Sequence, residues 1–169
     1  PSVSTGSSSP TDYSHTGFDR GHLAPAADMK FSNDYMDESF YMSNISPQVP
    51  SFNRGVWRRL ENQVRTIAVR YKSVYVVSGP VFMPSDSTIG SNGVTVPSYF
   101  YKVLLNRHKP EIMAIGFILP NQVWQEPLEI YATTVDAVEE MTGLNFFMEL
   151  PDRTEDKVEN TFDYSKWMD

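Results

Sequence analysis

The sequence contains no cysteine, and that absence excludes a disulfide framework, a thiol nucleophile and any cysteine-ligated zinc or iron–sulfur centre. Histidine is scarce as well. With three in 169 residues (His15, His22, His108), a multi-histidine metal site would consume nearly all of them. No apolar run approaches the roughly 18 residues a membrane-spanning helix needs, and the first residues carry neither a charged nor an apolar leader segment. Positive charge is in deficit: 14 Lys and Arg stand against 21 Asp and Glu, a net of -7. As a bulk quantity this argues against a protein that coats nucleic acid or anionic lipid, but it leaves room for a local basic patch. What remains is ordinary globular material, 40% hydrophobic and 13% aromatic, enough for one domain with a sizeable core.

Residues 1–16 are rich in Ser, Thr, Pro and Gly and read as a polar arm or loop. Residues 17–150 read as the main domain and residues 151–169 as an acidic surface tail. Within the domain, residues 40–46 have strand composition and stop at Pro47. Residues 53–71 carry helical periodicity: Val56, Leu60, Val64 and Ile67 fall within about 80° of one another at about 100° per residue. Arg54, Arg58, Glu61 and Arg65 occupy an adjoining stripe. Three strand-like runs follow, at 73–82, 94–105 and 112–119, with a further short strand at 128–133. A helix is predicted over 135–141, with Thr134 as N-cap and Gly143 as terminator. The class is mixed α+β with a largely antiparallel sheet.

Two segments carry chemistry. In Asp19-Arg20-Gly21-His22, an extended backbone projects Arg20 and His22 from one face and Asp19 from the other. A cation beside an imidazole suits a phosphodiester: Arg holds a non-bridging oxygen, and neutral His takes a proton from water. The adjacent Arg also favours neutral His. The bland alternative is a strand end with a solvated Arg and a capping His. The second segment is the Ser51–Glu61 stretch, where Asn53 is either a functional amide or an ordinary N-cap. Five Arg and one Glu lie between residues 54 and 70, a one-signed stripe in an acidic chain and at a helix start, where anions bind. Glu61 either pairs with Arg65 or orients water on a cation. The acidic run Asp34, Asp37, Glu38 fits no EF-hand spacing and reads as a solvated turn, and His15 and His108 read as surface residues. The glycosylation sequon at Asn44 is discounted because it lies in a predicted strand.

The two segments together resemble the DNA/RNA non-specific endonucleases of the ββα-metal class, the family that includes endonuclease G, with the bacterial members as the nearest branch. The resemblance runs from residue 17 to about 147 through Asp19-Arg20-Gly21-His22-Leu23-Ala24-Pro25, Ser43-Asn44-Ile45-Ser46-Pro47-Gln48, the Asn53 helix, Ser78-Gly79-Pro80, Val96-Pro97-Ser98-Tyr99-Phe100-Tyr101-Lys102-Val103 and Leu119-Pro120-Asn121. It implies a ββα unit at about 18–71. It also implies strands of the domain that precede the signature and are not among these residues. The implied reaction is metal-dependent hydrolysis of DNA and RNA to 5′-phosphate and 3′-hydroxyl ends; the alternative is a nucleic-acid-binding fragment with impaired turnover. The implied roles are His22 as general base, Asn53 as the direct ligand of one Mg²⁺ (or Mn²⁺), and Glu61 on the metal's water shell. Arg20 and Arg65 would bind phosphate, Arg54 and Arg58 would bind substrate, and Asn44 would orient groups in the site. Implied partners are the two nucleic acids, with a homodimer and a protein inhibitor as further family possibilities. The implied location is secreted or periplasmic, or alternatively the mitochondrial intermembrane space.

The low pI also resolves into parts. Residues 1–125 hold 11 basic and 9 acidic groups, whereas residues 126–169 hold 3 and 12. The acidity sits away from both candidate segments.

Overall fold

A computed structural model describes residues 7–108, 111–123 and 126–168. It confirms the α+β class and the antiparallel sheet. Strand β1 (Asp19–His22) pairs antiparallel with β2 (Ile45–Gln48), placing Arg20 opposite Pro47 and His22 opposite Ile45. A short helix α1 (Asn33–Glu38) lies in the connection, so the acidic run predicted as a turn is helical. Pro47, predicted to end a strand, is inside β2. A two-stranded ribbon has an unpaired side on which a missing N–H costs no ladder bond.

The helical segment starts earlier than periodicity indicates. Pro50 opens α2 (Pro50–Phe52), a π-helical turn spans Asn53–Trp57, and α3 (Arg58–Tyr71) completes the rod. Asn53 has helical dihedrals (φ -56°, ψ -52°) and is not an N-cap. Gly55 departs from helical geometry at φ -106°, ψ -107°, which lets the chain kink there.

The main sheet runs in the order β3 (Tyr75–Val81), β6 (Tyr99–Asn106), β7 (Met113–Pro120), β8 (Ala132–Thr133), every neighbour antiparallel. Strands β4 (Thr88–Ile89) and β5 (Val94–Thr95) form a small separate hairpin, so the run predicted as one strand at 94–105 is split into β5 and β6. The predicted strand at 128–133 is mostly a 3₁₀ turn (Leu128–Tyr131), leaving two residues in β8.

Alternation along β6 and β7 builds two cores. Phe100, Leu104, Ile115, Phe117 and Leu119 pack against Phe52, Trp57, Leu60, Val64 and Ile67 of the helical rod. On the opposite face, Tyr101, Val103, Leu105 and Ala114 pack against Val135 and Val138 of α4 (Val135–Thr142) and Val158 of α5 (Asp152–Glu159). Thr134 caps α4 by accepting from the Ala137 amide at 3.2 Å, and Gly143 ends it at φ 70°, both as predicted.

The two terminal segments are more embedded than their composition suggests. In the N-terminal stretch, Asp12 and Tyr13 are buried, and Asp12 accepts hydrogen bonds from Asn92 at 2.9 and 3.1 Å. At the other end, α5 and α6 (Tyr164–Met168) replace the expected surface tail. Trp167 is fully buried in the core that holds Phe52 and Leu60. One apolar anchor per short helix is enough to dock a charged segment, and composition averages it away.

Candidate functional site

The ββα unit brings three of the predicted residues, Arg20, Asn53 and Arg54, to one cleft at the start of the helical rod, whereas His22, Asn44, Arg58, Glu61 and Arg65 do not line it. Asp19, Arg20, Asn53 and Arg54 line an open cleft together with Tyr13 and Phe18. Asp19 organises it. Its Oδ2 accepts from Asn53 Nδ2 at 2.9 Å and Arg54 Nε at 2.8 Å, and its Oδ1 accepts from Arg54 Nη2 at 2.6 Å. The Arg54 bond, more than its opposing desolvation, holds the Asp19 carboxyl below the usual range. An ionised carboxylate only accepts, so it claims the NH₂ end of Asn53 and leaves the amide oxygen free for a ligand.

His22 is half-buried one step along β1. Its ring meets Phe40 edge-on at 4.7 Å, and its carbonyl accepts from Trp57 Nε1 at 3.2 Å. Burial, and then the Arg20 charge, lower its pKa, so the imidazole is held neutral near physiological pH. Its Nε2 is buried and has no partner among the described residues. The imidazole is thereby kept in the state a proton acceptor requires.

The basic stripe is less free than its sequence suggests. Arg54 is paired with Asp19, while Arg65 is paired with Asp28 at 2.7 Å and bonded to Asn62 at 2.5 Å. Arg59 donates to the Glu126 carbonyl. Arg20 and Arg58 carry no hydrogen bond or ion pair among the described residues and are exposed. Asn44 is a clamp: it bonds both the N–H and the C=O of Ala24 at 2.9 Å and the Ser39 carbonyl at 2.8 Å. Both N–H donors of its amide are thus spent on backbone carbonyls and its oxygen accepts from one amide, so it shapes the loop after β1.

Gly21 is the point of β1 that Gln48 packs against: a Cβ there would sit 2.1 Å from the Gln48 side chain, so the position is small to admit Gln48. Gln48 itself is fully buried beside β1.

Sequence reasoning also passed over two supporting residues. Lys102 is 1% exposed, lies 4.4 Å from the Trp57 ring centre and donates to Ser78 Oγ at 2.5 Å. Burial lowers its pKa, against the Glu61 carboxylate, which raises it. Burial pushes Glu61 up in turn, opposed by Lys102, Arg65 and Arg58. The available signal was Lys102 as the one charged residue of the Tyr99–Asn106 strand. The other missed residue is Asp19, whose place in the motif was noted without its grip on Asn53.

Among the described residues, no helix is long and apolar enough to cross a membrane. The family model for DNA/RNA non-specific endonucleases matches residues 1–153. The chain is 39% identical over 148 residues to human mitochondrial endonuclease G, covering 80% of this chain and 50% of that protein. It is 42% identical over 152 residues to nuclease C1 of Cunninghamella echinulata, covering 82% and 60%. A crystal structure of the EndoG/EndoGI complex superposes with a TM-score of 0.82 at 35% identity, over 87% of this chain and 66% of that one. The chain therefore spans about half the length of the mitochondrial relatives it matches. These relatives are mitochondrial and fungal, and they lend the expected bacterial kinship no support. With the signature strand, its partner strand and the Asn53 helix assembled as one unit, the chain belongs to the DNA/RNA non-specific endonuclease family.

Proposed function

We propose that the protein is a metal-dependent endonuclease that hydrolyses phosphodiester bonds of both DNA and RNA, leaving 5′-phosphate and 3′-hydroxyl ends. The observation that carries this reading is the pairing of Asn53 with Asp19, which takes up the NH₂ end of the amide and leaves its oxygen without a partner among the described residues, at a cleft that Arg20 also lines. The residues fit a hard divalent cation such as Mg²⁺, with Mn²⁺ as a substitute. Such an ion takes oxygen donors and keeps several waters, so one neutral amide oxygen is a sufficient direct protein contribution. Asn53 would hold the ion directly, and Glu61 would hold its water shell. When bound, it would supply charge stabilisation for the developing phosphorane and the leaving oxygen.

The chain's own residues account for the rest. Neutral His22 accepts a proton from the attacking water, and its low basicity keeps it available. Arg20 and Arg58, which are exposed and make no hydrogen bond or ion pair among the described residues, bind phosphate oxygens. Arg54 and Arg65 reach substrate only by exchanging Asp19 and Asp28 for phosphate, so they add affinity at the cost of an existing pair. Asn44 positions the loop after β1. Contacts limited to the sugar-phosphate backbone read no base sequence.

The names of the relatives support a mitochondrial setting, with the intermembrane space as the specific proposal, and give the secreted or periplasmic expectation no support. The EndoG/EndoGI structure supports a protein inhibitor as a partner class for this fold.

The test is incubation of plasmid and of RNA with the protein, with and without Mg²⁺. Fragmentation of both that EDTA stops and that His22→Ala and Asn53→Ala nearly abolish is the expected result. Salt-sensitive binding without cleavage would assign the chain a binding role instead. Metal-dependent cleavage that survives Asn53→Ala would refute the metal assignment.

A further inference from the structure

The acidic C-terminal quarter concentrates three carboxylates at one place. Asp136 and Glu139 lie one turn apart on α4, and Glu159 is the last residue of α5. An oxygen from each lies within 4.8 Å of the others. Both helices cover the sheet face opposite the Asn53 rod, so this cluster is separate from the nuclease cleft.

Acidic residues often gather on surfaces without purpose, but Glu159 is not on the surface. It is 5% exposed, and its Oε1 is buried with no hydrogen-bond partner among the described residues. No described salt bridge involves any of the three carboxylates. Burial, then Glu139, Glu155, Asp136 and Asp156, all negative, push the Glu159 carboxyl up to about 7. A buried carboxylate beside four other acids and without an ion-pair partner is costly unless something positive arrives. Glu139 is already aimed: its Oε1 accepts the Phe146 amide at 2.6 Å, which fixes the side chain and leaves the second oxygen available. Asp136 is exposed, so the cluster opens to water on its side.

We infer that Asp136, Glu139 and Glu159 form a second cation site, remote from the proposed catalytic metal, that takes Ca²⁺ and ties the end of α5 to the start of α4. The donor set is all oxygen, which excludes the thiolate- and imidazole-seeking metals. Ca²⁺ accepts six to eight oxygens in loose geometry. Mg²⁺ demands a near-ideal octahedron and sheds water reluctantly, which three convergent carboxylates do not suit.

The experiment uses the full chain carrying Asn53→Ala, so that binding at the nuclease cleft is removed and failure of the nuclease reading does not affect the outcome. Calorimetric titration with CaCl₂ should show one bound equivalent. At about 100-fold over its Kd, Ca²⁺ should raise the Tm by about 5–10 °C. Adding Glu159→Gln should abolish both signals while raising the metal-free Tm, since a buried unpaired acid has been neutralised. Asp136→Asn, on the exposed side, should keep the fold and weaken binding at least tenfold. Absence of Ca²⁺ binding in the Asn53→Ala chain would overturn the site, as would a Tm shift that survives Glu159→Gln. If Glu159 simply shares a proton with Glu139, Ca²⁺ leaves the Tm unmoved, which also refutes it.

Discussion

Replacing Asp19 with asparagine tests the arrangement of the cleft at its centre. Asp19 forces the orientation of the Asn53 amide through a partly buried bond of 2.9 Å from Nδ2 to a carboxylate that can only accept. A hydrogen bond to a charged group contributes about 1.5–3 kcal/mol. The second tie, to Arg54, adds little, because Arg54 is 69% exposed and such pairs contribute at most about 1 kcal/mol. An amide in place of the carboxylate can present either its oxygen or its NH₂, so the preference for the productive Asn53 orientation falls by about that first amount. Every 1.4 kcal/mol is about tenfold, and loss of a partner behind a metal ligand typically costs about 10–100-fold in affinity. The prediction is that Asp19→Asn raises the Mg²⁺ concentration for half-maximal plasmid nicking by about 10–100-fold. The rate at saturating Mg²⁺ should be largely restored. Arg54→Ala, which breaks the other tie, should leave the half-saturating Mg²⁺ concentration unchanged. A lowered maximal rate with an unaltered Mg²⁺ requirement would show that Asp19 does not act through Asn53.

Three further outcomes follow from the same geometry. Because burial and Arg20 depress the His22 pKa, the neutral base persists below the usual imidazole value. The acid limb of the cleavage pH profile should therefore have its midpoint below pH 6.5, and a midpoint above 7 would contradict the assignment. Gly116→Ala would push a methyl to 2.7 Å from Val138 Cγ2 and 2.8 Å from the Thr134 carbonyl oxygen, where α4 crosses β7. It should lower unfolding free energy by about 1–3 kcal/mol in urea titration, and a neutral result would mean that the helix stands further off the sheet. Trp167→Ala removes a fully buried indole and should cost about 3–5 kcal/mol; a surface tail would lose almost nothing.

Much of the molecule was legible from local rules. The apolar stripe of Val56, Leu60, Val64 and Ile67 became the buried face of the rod, and Thr134 and Gly143 capped α4 as their side-chain chemistry requires. Arg20, Asn53 and Arg54 of the cleft were named from the Asp19–His22 strand and the Asn53 helix, whereas Tyr13, in the N-terminal segment, was not. Their partners were not. Arg65 reads as a free phosphate binder until Asp28, 37 residues away, is seen beside it. Asn53 reads as an N-cap until Pro50 is found to have opened the helix a turn earlier.

The sequence by itself determined the class, the helices and strands with strong periodicity, the family signature and the division into a basic front and an acidic C-terminal quarter. These depend on neighbours within a few residues, where spacing and side-chain chemistry act directly. Only the tertiary structure decided which arginines are already paired, which end of the Asn53 amide is free, and why Gly21 must be small. It also decided that Trp167 closes the core and that Glu159 is buried among acids. Each of these is a contact between residues far apart in the chain. Its energy depends on burial and orientation, which no local pattern encodes.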